Sequence, residues 1–197
     1  MVAEIRLYFD GDNSLRRGFR KFFNELHETA RSRRIRFQLI AGGHDAVGSY
    51  MKGIRANPQS LNLLLIDSEG PDHGKLFEGL AGRKNWTPPR SYPVSQDSVF
   101  WMVQCMESWF LTDPEALSAY YGKEFAASKL PQHVNIEAVD KSQVIKSLEE
   151  ASRDTKKGKY HKTKHAPFIL AKISPAKAKS TFHCERAFKV ISRIISQ

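Results

Sequence analysis

The sequence predicts an α/β fold, a mostly parallel sheet flanked by helices and followed by a helical C-terminal part. Three observations carry this expectation. The run Leu61-Asn62-Leu63-Leu64-Leu65-Ile66 is nearly all apolar between Pro58 and the Gly70-Pro71 turn, the pattern of a central parallel strand buried on both faces. Ahead of it, two strand-like runs alternate with two amphipathic stretches, a β-α-β-α-β order that favours a right-handed parallel arrangement. A second apolar run, Ser98–Cys105, reads as another interior strand.

The elements follow in order. Ile5–Phe9 is rich in strand formers and stops at the loop residues Asp10-Gly11-Asp12-Asn13. Ser14 is placed to cap a helix in which Leu15, Phe19, Phe22, Phe23 and Leu26 recur at helical spacing as far as about Arg31, with a basic outer face. Ile35–Ile40 alternates as the second strand, and Ala41–His44 turns the chain. Asp45–Arg55 forms the next helix, with Val47, Tyr50, Met51 and Ile54 inward. Residues 71–93 are rich in glycine and proline and irregular. There Arg83, Lys84 and Trp86 could meet a polynucleotide, or Trp86 could simply cover core. Thr112 or Asp113 caps a helix whose first residue is Pro114 and whose end is Gly122. Asp140–Ala151, Ala166–Ile173 and Phe182–Ile195 supply further helices. We therefore expect an α/β domain over residues 1–122 and a helical, basic extension over 123–197 packed on it.

Composition narrows the function. A chain of 197 residues with 41% hydrophobic content suits one compact domain, or a domain with an added lobe. No apolar run approaches the ~20 residues of a membrane span, and Met1–Arg6 lacks the layout of a signal peptide, so a cytoplasmic protein with no membrane partner is expected. Cys105 and Cys184 are too few for a disulfide framework and lack zinc-site spacing. The formal net charge of +10 concentrates in Arg16–Arg36 and Lys141–Lys179. Such a surface attracts phosphate polymers, although a merely solvated face gives the same pattern.

The chemistry-bearing residues are acidic groups at strand ends, where open α/β sheets collect ligands. Asp10 and Asp12 follow the first strand, Asp67 and Glu69 the third, and Glu107 the fourth. Converging carboxylates repel one another unless a cation neutralises them, and a hard divalent ion is held by one or two of them with water and phosphate. Asp10, Asp12 and Asp67 could instead be turn and cap residues. Glu107 could be a further ligand or half of a buried ion pair. Thr155–His165 combines lysines with Tyr160, His161 and His165, either as a phosphate-binding and stacking loop or as a plain solvated one.

A strand ending in an acid plus glycine, followed by two α/β steps to a strand ending in D-x-D or D-x-E, resembles the Toprim domain of primases, topoisomerases and overcoming-lysogenisation-defect nucleases. Asp10 stands where that family usually has Glu, Gly11 occupies the glycine place, and Asp67/Glu69 replaces the commoner pair of aspartates. This likeness covers residues 5 to about 110. Nearly the whole chain is similar to the bacterial domain of unknown function 4276 family, through Leu65–Glu69, Met102–Asp113, Tyr120–Gly122, Leu130-Pro131, and Lys157–Lys162 with His165. The resemblance implies a Toprim-like (Rossmann-like) fold and frequent association with ATPases in anti-phage or mobile-element loci. The lysogenisation-defect class adds a lysine to its acidic cluster, for which Lys141, Lys159 and Lys162 are candidates.

The reading assembled from these residues is a Mg²⁺- or Mn²⁺-dependent nuclease acting on DNA or RNA. Asp10, Asp12, Asp67 and Glu69 bind metal in this reading, and Glu107, Lys141 and Lys159 join Asp10, Asp67 and Glu69 in catalysis. Arg16, Arg17, Lys156, Lys157, Lys159, Tyr160, Lys162 and His165 hold the polymer. An ATPase and a second copy of the chain in a homodimer are candidate partners. The rivals are a non-catalytic module binding nucleic acid or protein, and a nucleotide-handling enzyme. The second is opposed by the lack of a P-loop or G-x-G-x-x-G fingerprint.

Overall fold

A computed structural model describes residues 2–132 and 135–197. Four strands, β1 (Glu4–Phe9), β2 (Arg36–Ala41), β3 (Leu61–Asp67) and β4 (Val99–Met102), form one sheet in the order β2-β1-β3-β4. All neighbours are parallel, in a register that pairs Leu7 with both Leu39 and Leu63 and sets Asp67 beside Met102. Alternate residues serve opposite faces, as the two-residue period of a strand requires. Leu63, Leu65, Phe100 and Met102 join the larger core cluster, while Leu64, Ile66, Val99 and Trp101 join the smaller.

Helix α1 (Leu15–Phe22) and helix α2 (Asn24–Ser32) stand where one long helix was expected. The helix is interrupted at Phe23 (φ −93°, ψ 21°), and the consecutive rings of Phe22 and Phe23 both enter the core. Phe22 stacks on Trp109 with centroids 5.0 Å apart, and Phe23 meets Phe19 and Phe188. Phe19, Phe22, Phe23 and Leu26 keep the i, i+3, i+4, i+7 spacing of one apolar face across the break. Helix α3 (Ala46–Ala56) covers the other sheet face, with the Asp45 side chain accepting from the Gly48 N–H. The segment between β3 and β4 packs over that helix. Trp86 is half-buried there as core cover, and the Tyr92 hydroxyl accepts from the Asn62 N–H at 2.9 Å.

Beyond β4 the chain turns into α4 (Glu107–Phe110), α5 (Pro114–Tyr121), α6 (Lys141–Ser152), α7 (Lys162–Leu170), α8 (Pro175–Ala178) and α9 (Phe182–Ser196). Strand β4 ends at Met102, earlier than the apolar run suggested, because the residues after it are buried as loop and helix. Helix α7 starts at Lys162, four residues before the periodicity indicated, so Lys162 and His165 are helical. The larger core runs without interruption from β1 to α9, so the C-terminal helices share their interior with the sheet. No helix among the described residues is long and apolar enough to cross a membrane.

Helices α1 and α7 meet at Gly18, where an added Cβ would lie 2.9 Å from the Pro167 carbonyl oxygen and 3.1 Å from Leu170. Gly18→Val therefore forces a side chain against the Pro167 backbone, and a loss of about 1–3 kcal/mol of stability is expected in denaturant titrations. On the β2 side, His27 stacks on Phe37 with centroids 4.5 Å apart. Burial holds its imidazole down to about 4, with Arg20 adding to the effect and Glu28 opposing it. As pH falls, the unfolded chain takes up this proton first, near the ordinary 6.5, so stability drops between 6.5 and about 4 and levels off below. Replacing His27 by Phe should flatten that part of the stability–pH curve, measured as denaturation midpoints across the range.

Candidate metal centre

The carboxylates converge where the parallel strands end. Asp10 follows β1, and its N–H donates to the Leu65 carbonyl at 3.0 Å, so β3 fixes its position. Gly11 comes next with φ +114°, and a Cβ there would collide with Leu15 Cδ1 at 2.4 Å. Only glycine lets the chain leave the strand toward α1 at this point. Asp67 closes β3 and is 2% exposed, and its Oδ1 accepts from the Met106 N–H at 2.8 Å. Glu69 sits at φ +67°, a left-handed conformation that costs a non-glycine residue about 1–2 kcal/mol. Its N–H donates to the Gln104 carbonyl at 3.0 Å, which holds the unfavoured backbone in place. Ligand oxygens of Asp10, Asp67 and Glu69 all lie within 4.8 Å of one another, a spacing that can hold a metal ion.

Two lysines from distant helices close the cluster. Lys141, the first residue of α6, places Nζ 2.6 Å from Glu69 Oε2 and 3.9 Å from Asp67 Oδ2, while its N–H donates to the buried Gln104 Oε1. Lys162, the first residue of α7, lies 3.6 Å from Asp67 Oδ2 and 3.9 Å from Glu107 Oε1. A cation at a helix N-terminus opposes the helix dipole. Both positions are therefore unfavourable for the helices alone and are explained by the acids they face.

Glu107 is fully buried. Its Oε1 accepts from the Tyr160 hydroxyl at 2.8 Å, and its Oε2 has no hydrogen-bond partner among the described residues. Four carboxylates against two directly paired lysines leave two negative charges when every group is ionised, which one divalent cation would balance. Burial drives the Asp67 carboxyl up to about 7, with Glu107 and Asp10 adding to the rise and Lys162 and Lys141 opposing it. Asp10 is likewise raised, chiefly by burial. Lys162 is depressed by burial, but the surrounding carboxylates outweigh this and keep it above the ordinary lysine range. The donor set is all oxygen, the buried Glu107 oxygen is unmatched, and the cluster is short of positive charge, so these residues fit a metal.

A profile described as domain of unknown function (DUF4276) matches residues 12–189. The chain belongs to the DUF4276 family. The match takes in Asp67, Glu69, Glu107, Lys141 and Lys162 and stops two residues short of Asp10. No curated protein and no solved structure matches the chain.

Within this DUF4276 chain, the expected site residues part company. Asp10, Asp67 and Glu69 come together, with Glu107 and Lys141 beside them. Asp12 does not join them: its Oδ1 accepts from the Ser14 N–H at 2.8 Å and from the Ser14 hydroxyl. It is a turn residue that starts α1, and Ser14 itself makes no capping bond. Asp12→Ala should leave metal binding unchanged and cost about 1 kcal/mol of stability, read by isothermal titration with Mn²⁺ and by thermal melting. Lys159 pairs with Glu149 at 2.8 Å and has no contact with the acidic cluster. Tyr160 and His165, expected on a binding face, are 4% and 2% exposed, because the Tyr160 hydroxyl serves Glu107 and His165 packs among Tyr120, Tyr121 and Tyr160. Neither ring is free to stack on a base. Arg16, Arg17, Lys156 and Lys157 are exposed.

Sequence reasoning did not single out Gln104, which orients Lys141 and receives Glu69. Nothing in its apolar surroundings marked it. Arg83 also has a different task from the one expected: it donates to the Asp67 and Ser68 carbonyls at 3.0 and 3.3 Å and lies over the Trp101 ring.

Proposed function

We propose that the protein is a nuclease, hydrolysing phosphodiester bonds of DNA or RNA with Mg²⁺ or Mn²⁺ held by Asp10, Asp67 and Glu69. The observation that carries this reading is the meeting of three carboxylates with two helix-initial lysines at the carboxyl end of a parallel sheet. Carboxylates alone would suit a metal store. Carboxylates with ammonium groups set among them also suit a phosphate, which needs metal and protein cations on several of its oxygens. A divalent ion bound there supplies Lewis-acid polarisation and neutralises charge at the phosphate.

The chain's own groups have separable tasks. Asp67, fixed by the Met106 N–H, and Asp10, fixed by β3, form the rigid part of the cluster. Glu69 is exposed and, among the described residues, paired only with Lys141, so it can turn from that lysine when a ligand enters. Lys141 is then released to meet a phosphate oxygen, and Lys162 holds charge over Asp67 and Glu107. Tyr160 keeps Glu107 in place from the far side.

The likeness to the Toprim domain supports the same chemistry, and the family resemblance supports an ATPase partner. The exposed Arg16, Arg17, Lys156 and Lys157 are suited to holding a phosphate backbone. The test is purified protein with plasmid, single-stranded DNA and total tRNA, in Mn²⁺, Mg²⁺ or chelator. Cleavage that requires the metal is expected. Metal-independent cleavage, or none with or without the partner ATPase, would refute the reading and favour a binding module.

A further inference from the structure

We infer that the groove between α1 and α7 binds unpaired nucleotides, and that the polymer reaching the acidic cluster is single-stranded. The inference deepens the nuclease reading and rests on it for the direction of the strand's path, while the groove stands on separate residues.

The groove encloses about 470 Å³, within the roughly 300–1,000 Å³ range of ligand pockets. Its near end is Ser14 and Thr163, and Thr163 adjoins Lys162, whose ammonium lies 3.6 Å from Asp67. The groove thus begins one residue from the lysine that faces the carboxylate cluster, and a strand continuing past Thr163 would approach that cluster. Two aromatic rings line it. Phe168 is 56% exposed, one of two large apolar side chains left open to water among the described residues, and Tyr120 is half-buried across from it. A phenylalanine on α7 gains nothing structural from this exposure.

The charged lining is entirely of one sign. Arg17, Lys21 and Lys172 line the groove, and none has a carboxylate within ion-pair distance among the described residues. Lys157 sits 5.1 Å over the Tyr120 ring at its edge. Arg17 and Lys21 lie one helical turn apart on α1, about 6 Å along its axis, which is on the scale of one nucleotide step in an extended strand.

Cations beside an exposed aromatic ring, here Phe168, are what unpaired nucleotides require, since phosphates take the charge and bases stack on the ring. A duplex hides its base faces and would leave Phe168 unused. A protein ligand rich in acids could satisfy the cations, but it has no general need for an exposed flat ring among them. Helices α1 and α7 approach closely at Gly18 and Pro167, beside the groove.

The experiment uses the full chain and a labelled 12-nucleotide DNA, its RNA counterpart and the matching DNA duplex, read by fluorescence anisotropy in chelator so that no cleavage intervenes. Wild type should bind both single strands more tightly than the duplex, and the two arms show which sugar is preferred. Phe168→Ala should weaken single-strand binding by about ten- to hundredfold and leave duplex binding unchanged. Because Phe168 is exposed, its variant should fold, which circular dichroism checks. Arg17→Ala/Lys172→Ala should weaken binding and flatten its salt dependence. Photo-crosslinking with a thio-substituted oligonucleotide should label peptides containing Tyr120 or Phe168. Equal affinity for duplex and single strand, with no effect of Phe168→Ala and no crosslink to either ring, overturns the inference. Metal-dependent cleavage that persists unaltered in Phe168→Ala would remove the groove and keep the nuclease. Binding and crosslinking without cleavage would keep the groove and remove the nuclease.

Discussion

An Asp67→Asn/Glu69→Gln double variant is expected to lose metal-dependent cleavage by at least ~100-fold, because a Lewis acid contributes several kcal/mol to the transition state and each ~1.4 kcal/mol is tenfold. The substitutions keep size and hydrogen-bonding capacity, so the Met106 N–H still finds an oxygen at position 67. They remove two of the three carboxylates that approach one another within 4.8 Å, leaving only Asp10. Mn²⁺ should no longer raise the melting temperature, and the variant without metal should be no less stable than wild type, since mutual repulsion among the acids is relieved. Cleavage by this variant at the wild-type rate would withdraw the metal-site assignment.

Lys162→Met separates charge from fold. The ammonium lies 3.6 Å from Asp67 and 3.9 Å from Glu107, so its loss leaves one fully buried and one nearly buried carboxylate facing each other. Breaking a fully buried pair costs roughly 3–5 kcal/mol, but this side chain is 47% exposed and water screens it, so a loss of about 1–2 kcal/mol is expected. Cleavage should fall by about 100-fold, as when a group aimed at developing charge is removed. The telling result is differential. The variant is further short of positive charge, so Mn²⁺ should raise its melting temperature more than it raises that of wild type. Equal shifts in the two proteins would mean that Lys162 and the metal do not answer to the same carboxylates. Lys141→Met, removing the 2.6 Å partner of the exposed Glu69, should have the smaller effect on stability.

The sheet was legible because burial writes a pattern into the chain. Leu61–Ile66 had to be apolar on both faces, and the acids just past it were conspicuous against that run. Asp10 was legible for the same reason, as the first charge after a strand. Other features left no local mark. The helical spacing of Leu15 to Leu26 continues through Phe23, so the interruption there leaves no mark in the pattern, and the partners Trp109 and Phe188 show only in the packed structure. Asp12 looked like a ligand because an aspartate that makes an Asx turn with Ser14 is the same residue type as one that binds metal. Tyr160 and His165 were taken for surface because their neighbours are lysines, yet the chain turns them inward to Glu107 and to Tyr121. Choosing Lys141 and Lys162 over Lys159 required the packing of α6 and α7, which no spacing in the chain reveals.

That packing bears on when the protein can work during synthesis. Asp10, Asp67 and Glu69 leave the ribosome early, whereas Lys141 and Lys162 follow more than seventy residues after Glu69. A nascent chain that has made only the sheet carries its acids without the ammonium groups that face them. Domains fold as units during elongation, at about 5–20 residues per second, so the first half must wait several seconds with an incomplete centre. The acidic centre thus acquires its facing ammonium groups only once the second half has docked.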